Sequence, residues 1–272
     1  NNPEDAVRIV INTYDFWNHK GYLQEGFDTS MKVLNSVDIT NKKLKADLLS
    51  RLAIFCYEQG KFTELENFSN EALNLYREEN DEEGILNTLN TLGQKSFIEL
   101  GLNNAVKLCE EALSLSDSTD SKVGKATTLY NLSFPVGNLG DFQRSISLQE
   151  EALKLSREIK NEHLTAQVLL SLSVALTRRT GDIKKAAVYS EESLLISRRI
   201  DDQYLISVNL VHLADLKLNY ESKNYDEAEY ILLEAYKISK DCGYNMNLFP
   251  IRIHLGRLYT ETENFTSAIN IY

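Results

Sequence analysis

Apolar residues recur along this chain at three- and four-residue steps, and the whole pattern returns about every 40 residues. Over 83–100, Leu86, Leu89, Leu92 and Gly93 share one helical face, which predicts a first helix. After a turn at Gly101, Ala105, Leu108, Cys109, Ala112, Leu113 and Leu115 form the stripe of a second helix. Ser116-Asp117-Ser118-Thr119-Asp120 then ends it with turn-forming residues. Neither helix can hide its stripe alone, so the two must pair and the pairs must stack. The same reading predicts first (A) helices near 4–19, 43–58, 83–99, 122–138, 162–179, 203–221 and 245–262, each followed by a second (B) helix. With only 3 prolines and 12 glycines to interrupt it, the chain reads as all-α.

Landmarks fix the repeat. Glu151-Ala152-Leu153 recurs as Glu71-Ala72-Leu73 and Glu111-Ala112-Leu113, and more loosely at Glu192-Ser193-Leu194 and Glu234-Ala235-Tyr236. Gly140-Asp141-Phe142 recurs as Gly60-Lys61-Phe62 and Gly181-Asp182-Ile183, and in degenerate form at Lys223-Asn224-Tyr225 and Glu263-Asn264-Phe265. Each A helix carries a leucine followed by a small residue: Leu52-Ala53, Leu92-Gly93, Leu132-Ser133, Leu172-Ser173, Leu213-Ala214 and Leu255-Gly256. A side chain of one carbon or none lets the B helix lie close while the leucine fills the gap beside it. Pro135 lacks a donor and clashes with the preceding turn, so a kink is expected in the fourth A helix. The pattern predicts one elongated α-solenoid of antiparallel helix pairs over 1–272. Its units fall at about 1–40, 41–80, 81–120, 121–160, 161–201, 202–243 and 244–272, the seventh incomplete.

The Leu-small pair, the Gly-x-aromatic turn and the alanine of the B helix resemble the tetratricopeptide repeat, in a variety nearer 40 residues than the usual 34 or so. Phe16-Trp17-Asn18-His19-Lys20-Gly21-Tyr22-Leu23-Gln24-Glu25-Gly26 resembles the segment that opens the repeat region of bacterial signal-transduction NTPases with numerous domains. The longer repeat is also similar to that of regulators of the maltose-regulator type. The resemblance implies a right-handed superhelix that binds a protein or peptide, or a small ligand, on the face of its A helices. Carried position by position, it implies a polar stretch at Asp47, Ser50, Asn87, Asn90, Gln94, Thr127, Tyr130 and Phe134. A more apolar stretch follows at Leu170, Val174, Val208, Val211, Asp215, Ile253 and Arg257. Ser50, Asn90, Tyr130, Leu170, Val211 and Ile253 supply no lysine where chaperone-tail binders need one, which argues against that ligand.

Composition narrows the partner. Lys plus Arg number 29 against 40 Asp plus Glu, and a net charge of -11 repels a phosphate backbone, so nucleic acid is not expected. The basic groups Arg178-Arg179, Lys184-Lys185 and Arg198-Arg199 lie beside Glu191, Glu192, Asp201 and Asp202 and read as a solvated mixed face. Cys56, Cys109 and Cys242 are scattered and odd in number, which suits buried reduced thiols in a cytoplasmic protein. No apolar run reaches membrane-spanning length.

No phosphate-binding loop, zinc-protease helix, nucleophile elbow or dinucleotide turn occurs, so no catalytic residue, metal or cofactor is expected. His212 and His254 hold equivalent positions two residues before the small residue of their A helices, where Asn131 stands in another unit; a polar ladder is the expected reading. The segment is thus read as the sensor region of a larger cytosolic bacterial signalling or transcriptional regulator. The runner-up is a stand-alone adaptor that holds proteins together.

Overall fold

Helix boundaries in this chain are set by capping chemistry that repeats with the units. Asn41, Asp81, Ser121, Asn161 and Asp202 each precede an A helix, and each side-chain oxygen accepts the backbone N–H three residues on, at 2.9–3.2 Å. Such caps satisfy donors that the first helical turn leaves open. At the other end, Gly60, Leu100, Gly140, Gly181 and Glu263 follow A helices, and Asn80, Asp120, Lys160 and Asp201 follow B helices, all with left-handed backbone. That conformation reverses the chain and lets a following N–H return to the open carbonyls of the helix end.

The computed structural model describes residues 4–14, 16–17, 22–219, 224–242 and 245–271. The A helices are α1 (Glu4–Asn12), α3 (Lys42–Glu58), α5 (Glu82–Ile98), α7 (Lys122–Asn138), α9 (Glu162–Ala175), α11 (Gln203–Asn219) and α13 (Asn245–Glu261). The B helices are α2 (Leu23–Ser36), α4 (Phe62–Glu79), α6 (Leu102–Ser118), α8 (Phe142–Glu158), α10 (Ile183–Arg199), α12 (Tyr225–Asp241) and α14 (Phe265–Ile271). No strand occurs among the described residues. Successive helices pack in series, the arrangement of an α-solenoid. The chain divides into two compact units, Asn1–Leu155 and Ser156–Tyr272, with the boundary inside α8.

Close packing follows the Leu-small pairs. Ala53, Ser133, Ser173 and Ala214 are buried, as are the alanines at 72, 112 and 152 of the B helices. A Cβ on Gly93 would lie 2.8 Å from Cys109 Sγ of its own B helix, which is why no side chain stands there. Serine uses the same closeness differently: Ser173 Oγ donates to Ala186 O at 2.6 Å, and Ser145 Oγ donates to Ser133 O at 2.7 Å. In the second unit Leu210, Ala214, Leu232, Ala235, Ile251 and Leu255 join three successive helices in one core.

Several expectations change. The helix over 4–19 is α1 with a turn at Thr13, whose hydroxyl donates back to Ile9 O at 2.8 Å. In the segment 16–26, residues 18–21 lie outside the described residues, as does Lys223. Trp17 packs near Phe55 of α3, with ring centroids 6.4 Å apart, while Phe16 is exposed. Ser116 does not end its helix: α6 continues to Ser118, and the buried Ser116 hydroxyl donates to Leu113 O at 2.7 Å. The left-handed turn residue there is Leu100, not Gly101. Pro135 does not interrupt α7, which runs on to Asn138; only one ladder bond is lost, and Leu139 N donates to Pro135 O at 2.9 Å. Cys242 is exposed, unlike Cys56 and Cys109, whose thiol pKa values burial pushes up to about 11 and about 12.

The repeated Glu of Glu-Ala-Leu also finds its purpose. Glu111, Glu192 and Glu234 accept from Arg77, Arg157 and Arg198 of the preceding B helix at 2.6–3.2 Å. Glu71 accepts instead from Lys45. The signature therefore carries two functions side by side, alanine for contact and glutamate for an ion pair.

Candidate functional site

In the first unit the A helices α3, α5 and α7 present one shared face, and its sequence-expected residues divide into open and spent groups. Asn87 is exposed, and Thr127, Tyr130 and Phe134 are half-buried. Phe134 stacks edge-on with Tyr130, centroids 4.9 Å apart, and lies 5.9 Å from Phe97, so three aromatic rings converge. This cluster offers apolar area with little rotamer entropy to lose.

Asn90 does not line the open face. It is 5% exposed, its Nδ2 donates to Thr128 Oγ1 at 2.8 Å, and its Oδ1 accepts from Asn131 Nδ2 at 3.4 Å. Gln94 Nε2 donates to Asn131 Oδ1 at 3.0 Å. The amides converge on one another and tie α5 to α7, because an interface between polar positions leaves no donor unpaired. Asp47 and Ser50 are likewise engaged: Tyr76 of α4 donates its hydroxyl to Asp47 Oδ1 at 2.8 Å and lies 3.2 Å from Ser50 Oγ. Its ring fills the space where a Cβ on Gly84 would sit, so Gly84 is what admits Tyr76.

The second unit presents α9, α11 and α13. Leu170 is 8% exposed and packed away, whereas Ile253 at the equivalent register is 43% exposed. Val174, Val208, Val211 and Asp215 are half-buried and Arg257 is exposed. The Asp215 carboxylate favours the charged form of both His212 and His254, while Arg178 opposes it at His212 and Arg257 opposes it at His254. Burial pulls His212 down to about 4, and burial also lowers His254, so both rings are neutral near pH 7. His254 Nδ1 is buried without a hydrogen-bond partner, 3.8 Å from Asp215 Oδ1.

Ser173 Oγ lies 2.8 Å from His212 Nε2, a pairing that resembles a nucleophile with its base. It is not one. Ser173 is fully buried and its single proton goes to Ala186 O, so His212 Nε2 is the donor in this bond. Among the described residues no group of three or more His, Cys, Asp or Glu is arranged to hold a metal ion.

Sequence reading took Arg178 only as part of a solvated mixed-charge face and did not connect it with His212, on which its charge acts. After α9 the helix widens into a π turn, Leu176–Thr180, closed by Gly181 N to Leu176 O at 2.9 Å. The signal was legible in the spacing: Gly140 to Gly181 is one residue longer than Gly60 to Leu100 or Leu100 to Gly140, and the π turn absorbs the extra residue.

No protein-family model matches the sequence, and no curated protein matches it. Solved structures do match. A Rap protein crystallised with Competence and Sporulation Factor superposes with a TM-score of 0.75 at 15% identity, covering 98% of this chain and 73% of that one. The fold is a tetratricopeptide-like helical repeat. A Signal Transduction ATPase with Numerous Domains from Pyrococcus horikoshii, with a tetratricopeptide repeat sensor, matches at a TM-score of 0.67 and 16% identity. That match covers 99% of this chain but 41% of that one. BtubC from P. vanneervenii matches at 0.61 and 19% identity, over 83% and 91%. Among the described residues of this tetratricopeptide-like chain, no helix is long and apolar enough to cross a membrane.

Proposed function

We propose that this chain is a peptide-binding tetratricopeptide scaffold and that it serves as the sensor region of a larger cytosolic bacterial regulator. The observation that carries the reading is the aromatic cluster Phe97, Tyr130 and Phe134 on the A-helix face of the first unit, next to exposed Asn87 and half-buried Thr127. Aromatic anchors beside polar groups suit a short peptide, and such anchors carry about 2 kcal/mol or more each. Support comes from the fold shared with a Rap protein seen with Competence and Sporulation Factor and with the sensor of a signal-transduction ATPase.

The test uses the 272-residue chain and a degenerate pool of short peptides, with retained members identified by mass spectrometry. The double variant Tyr130→Ala, Phe134→Ala is expected to lose at least about tenfold in affinity for the retained peptides. Wild-type binding by that variant would move the site elsewhere. The regulator context is tested on the natural gene, which is expected to encode a phosphate-binding loop with Ser or Thr after its Lys upstream of this segment. Retained peptides should then change nucleotide turnover of the full product. An adaptor is the second reading, favoured by the match to BtubC over 91% of that chain, which leaves little length there for a switch domain. A natural product with no nucleotide-binding domain would leave the adaptor reading in place.

A further inference from the structure

Three successive A helices of the second unit bring ionisable side chains into one row: Arg178 follows Ser173 of α9, whose Oγ lies 2.8 Å from His212 Nε2 on α11, and Asp215 on α11 lies 3.8 Å from His254 on α13, the helix that also carries Arg257. With both histidines neutral near pH 7, the formal charges read plus, minus, plus. The repeat does not require this row. At the register of Arg178 the first unit carries Glu58, Ile98 and Asn138, and at the register of Asp215 and Arg257 it carries Ile54, Gln94 and Phe134. Arg178 thus brings a fourth chemistry, an arginine, to that register.

The groups around the row leave both arginine side chains partly exposed to solvent. Arg257 Nε donates to Glu261 Oε1 at 2.8 Å, while Glu261 Oε2 accepts from Tyr225 Oη at 2.8 Å, so the carboxylate is shared and the Arg257 side chain remains 46% exposed. Asp215 is held by Asn219 Nδ2 at 2.6 Å. Lys217 pairs with Glu227 at 2.9 Å. Arg178 is exposed. An arginine has five donors in a planar fork and binds carboxylates through paired bonds.

We infer that this face reads acidic side chains of a bound peptide, one at Arg178 and one at Arg257, while Asp215 between them turns away a carboxylate. The inference rests on the peptide-binding reading above and adds the charge pattern of the ligand. A chain of net charge -11 repels an acidic peptide at long range, so acceptance needs local cations placed for it. Neighbouring helix axes lie about 8–10 Å apart. Arginines on alternate helices are then about 16–20 Å apart, the span of about five or six extended residues. One terminal carboxylate can engage only one of them, whereas two acidic side chains at that spacing engage both.

The test measures retention of acetylated, amidated peptide pools on the full chain. One pool has Glu fixed at two positions about five residues apart; a second has Gln at both, and a third has Gln at both with a free C-terminal carboxylate. The two-Glu pool is expected to be retained about tenfold or more over the Gln pool, and the preference should fall with added salt. R178Q and R257Q should each reduce that preference, and Asp215→Asn should raise it, an opposite sign that loss of structure would not produce. Circular dichroism checks that the variants fold. Equal retention of the Glu and Gln pools overturns the inference and leaves peptide binding intact. Equal retention of the free-acid Gln pool and the two-Glu pool assigns the arginines to a terminus and also overturns it. Retention of none of the pools removes the peptide-binding reading itself.

Discussion

At single residues, backbone conformation decides matters that side-chain type alone does not. Leu100 sits at φ 61 and is 82% exposed, in a register that Gly60, Gly140 and Gly181 fill elsewhere. A leucine there is strained without gaining burial, so Leu100→Gly is expected to stabilise the fold by about 1 kcal/mol, less the entropy a glycine adds to the unfolded chain. Thermal unfolding of the variant checks this, and a lower melting temperature would contradict it. Gly84 is the opposite case. Its φ is ordinary, but a Cβ would run into the Tyr76 ring, so Gly84→Ala should cost about 1–3 kcal/mol and free the Asp47 carboxylate from its phenol partner. Both positions favour glycine, position 100 for its backbone and position 84 for the space a side chain would need.

Helix elements show how one motif divides its tasks. Ala152 is fully buried and Glu111, at the neighbouring position of an equivalent motif, is an exposed ion-pair partner of Arg77. Ala152→Arg should destabilise by about several kcal/mol, since a long charged side chain is forced into a helix contact. Glu111→Ala should change stability by about 1 kcal/mol or less, because exposed pairs contribute little. Chemical denaturation of both variants measures the contrast, and equal effects would refute the packing account.

The His212 contact between α11 and α9 adds a pH dependence. Its folded pKa, about 4, lies below the ordinary histidine value of 6.5, so between those limits the unfolded chain binds more protons than the folded one. Stability is therefore fully present above pH of about 6.5 and falls as pH drops toward about 4, by an amount on the order of 3 kcal/mol. His254, also lowered by burial, acts in the same direction. Denaturant midpoints should fall through this window in the native chain and fall less in His212→Gln. An unchanged slope in that variant would assign the effect elsewhere.

Across the whole molecule, the units Asn1–Leu155 and Ser156–Tyr272 each carry their own core. Repeat arrays are stabilised by neighbour contacts, so a lesion spreads first within its own unit. Ala214→Arg, at a fully buried position, should expose amides of 156–272 to hydrogen exchange well before those of α3 to α6. Simultaneous exchange of both would show a single cooperative body.

The sequence determined the helix pairs, their register and the Leu-small contacts, because period and side-chain volume are local properties that neighbouring repeats restate. It also placed Tyr130, Phe134, His212 and His254 on A helices. Only the tertiary structure decided which of the face residues are spent. Asn90 and Gln94 read as groove amides until Thr128 and Asn131 arrive from the next A helix, and Asp47 reads as free until Tyr76 reaches it. Whether a polar group is open depends on partners about 30 to 40 residues away, which no local pattern contains. The π turn lies between these cases: its extra residue is visible in the spacing, but only the structure shows that the helix end, rather than the turn after it, takes that residue up.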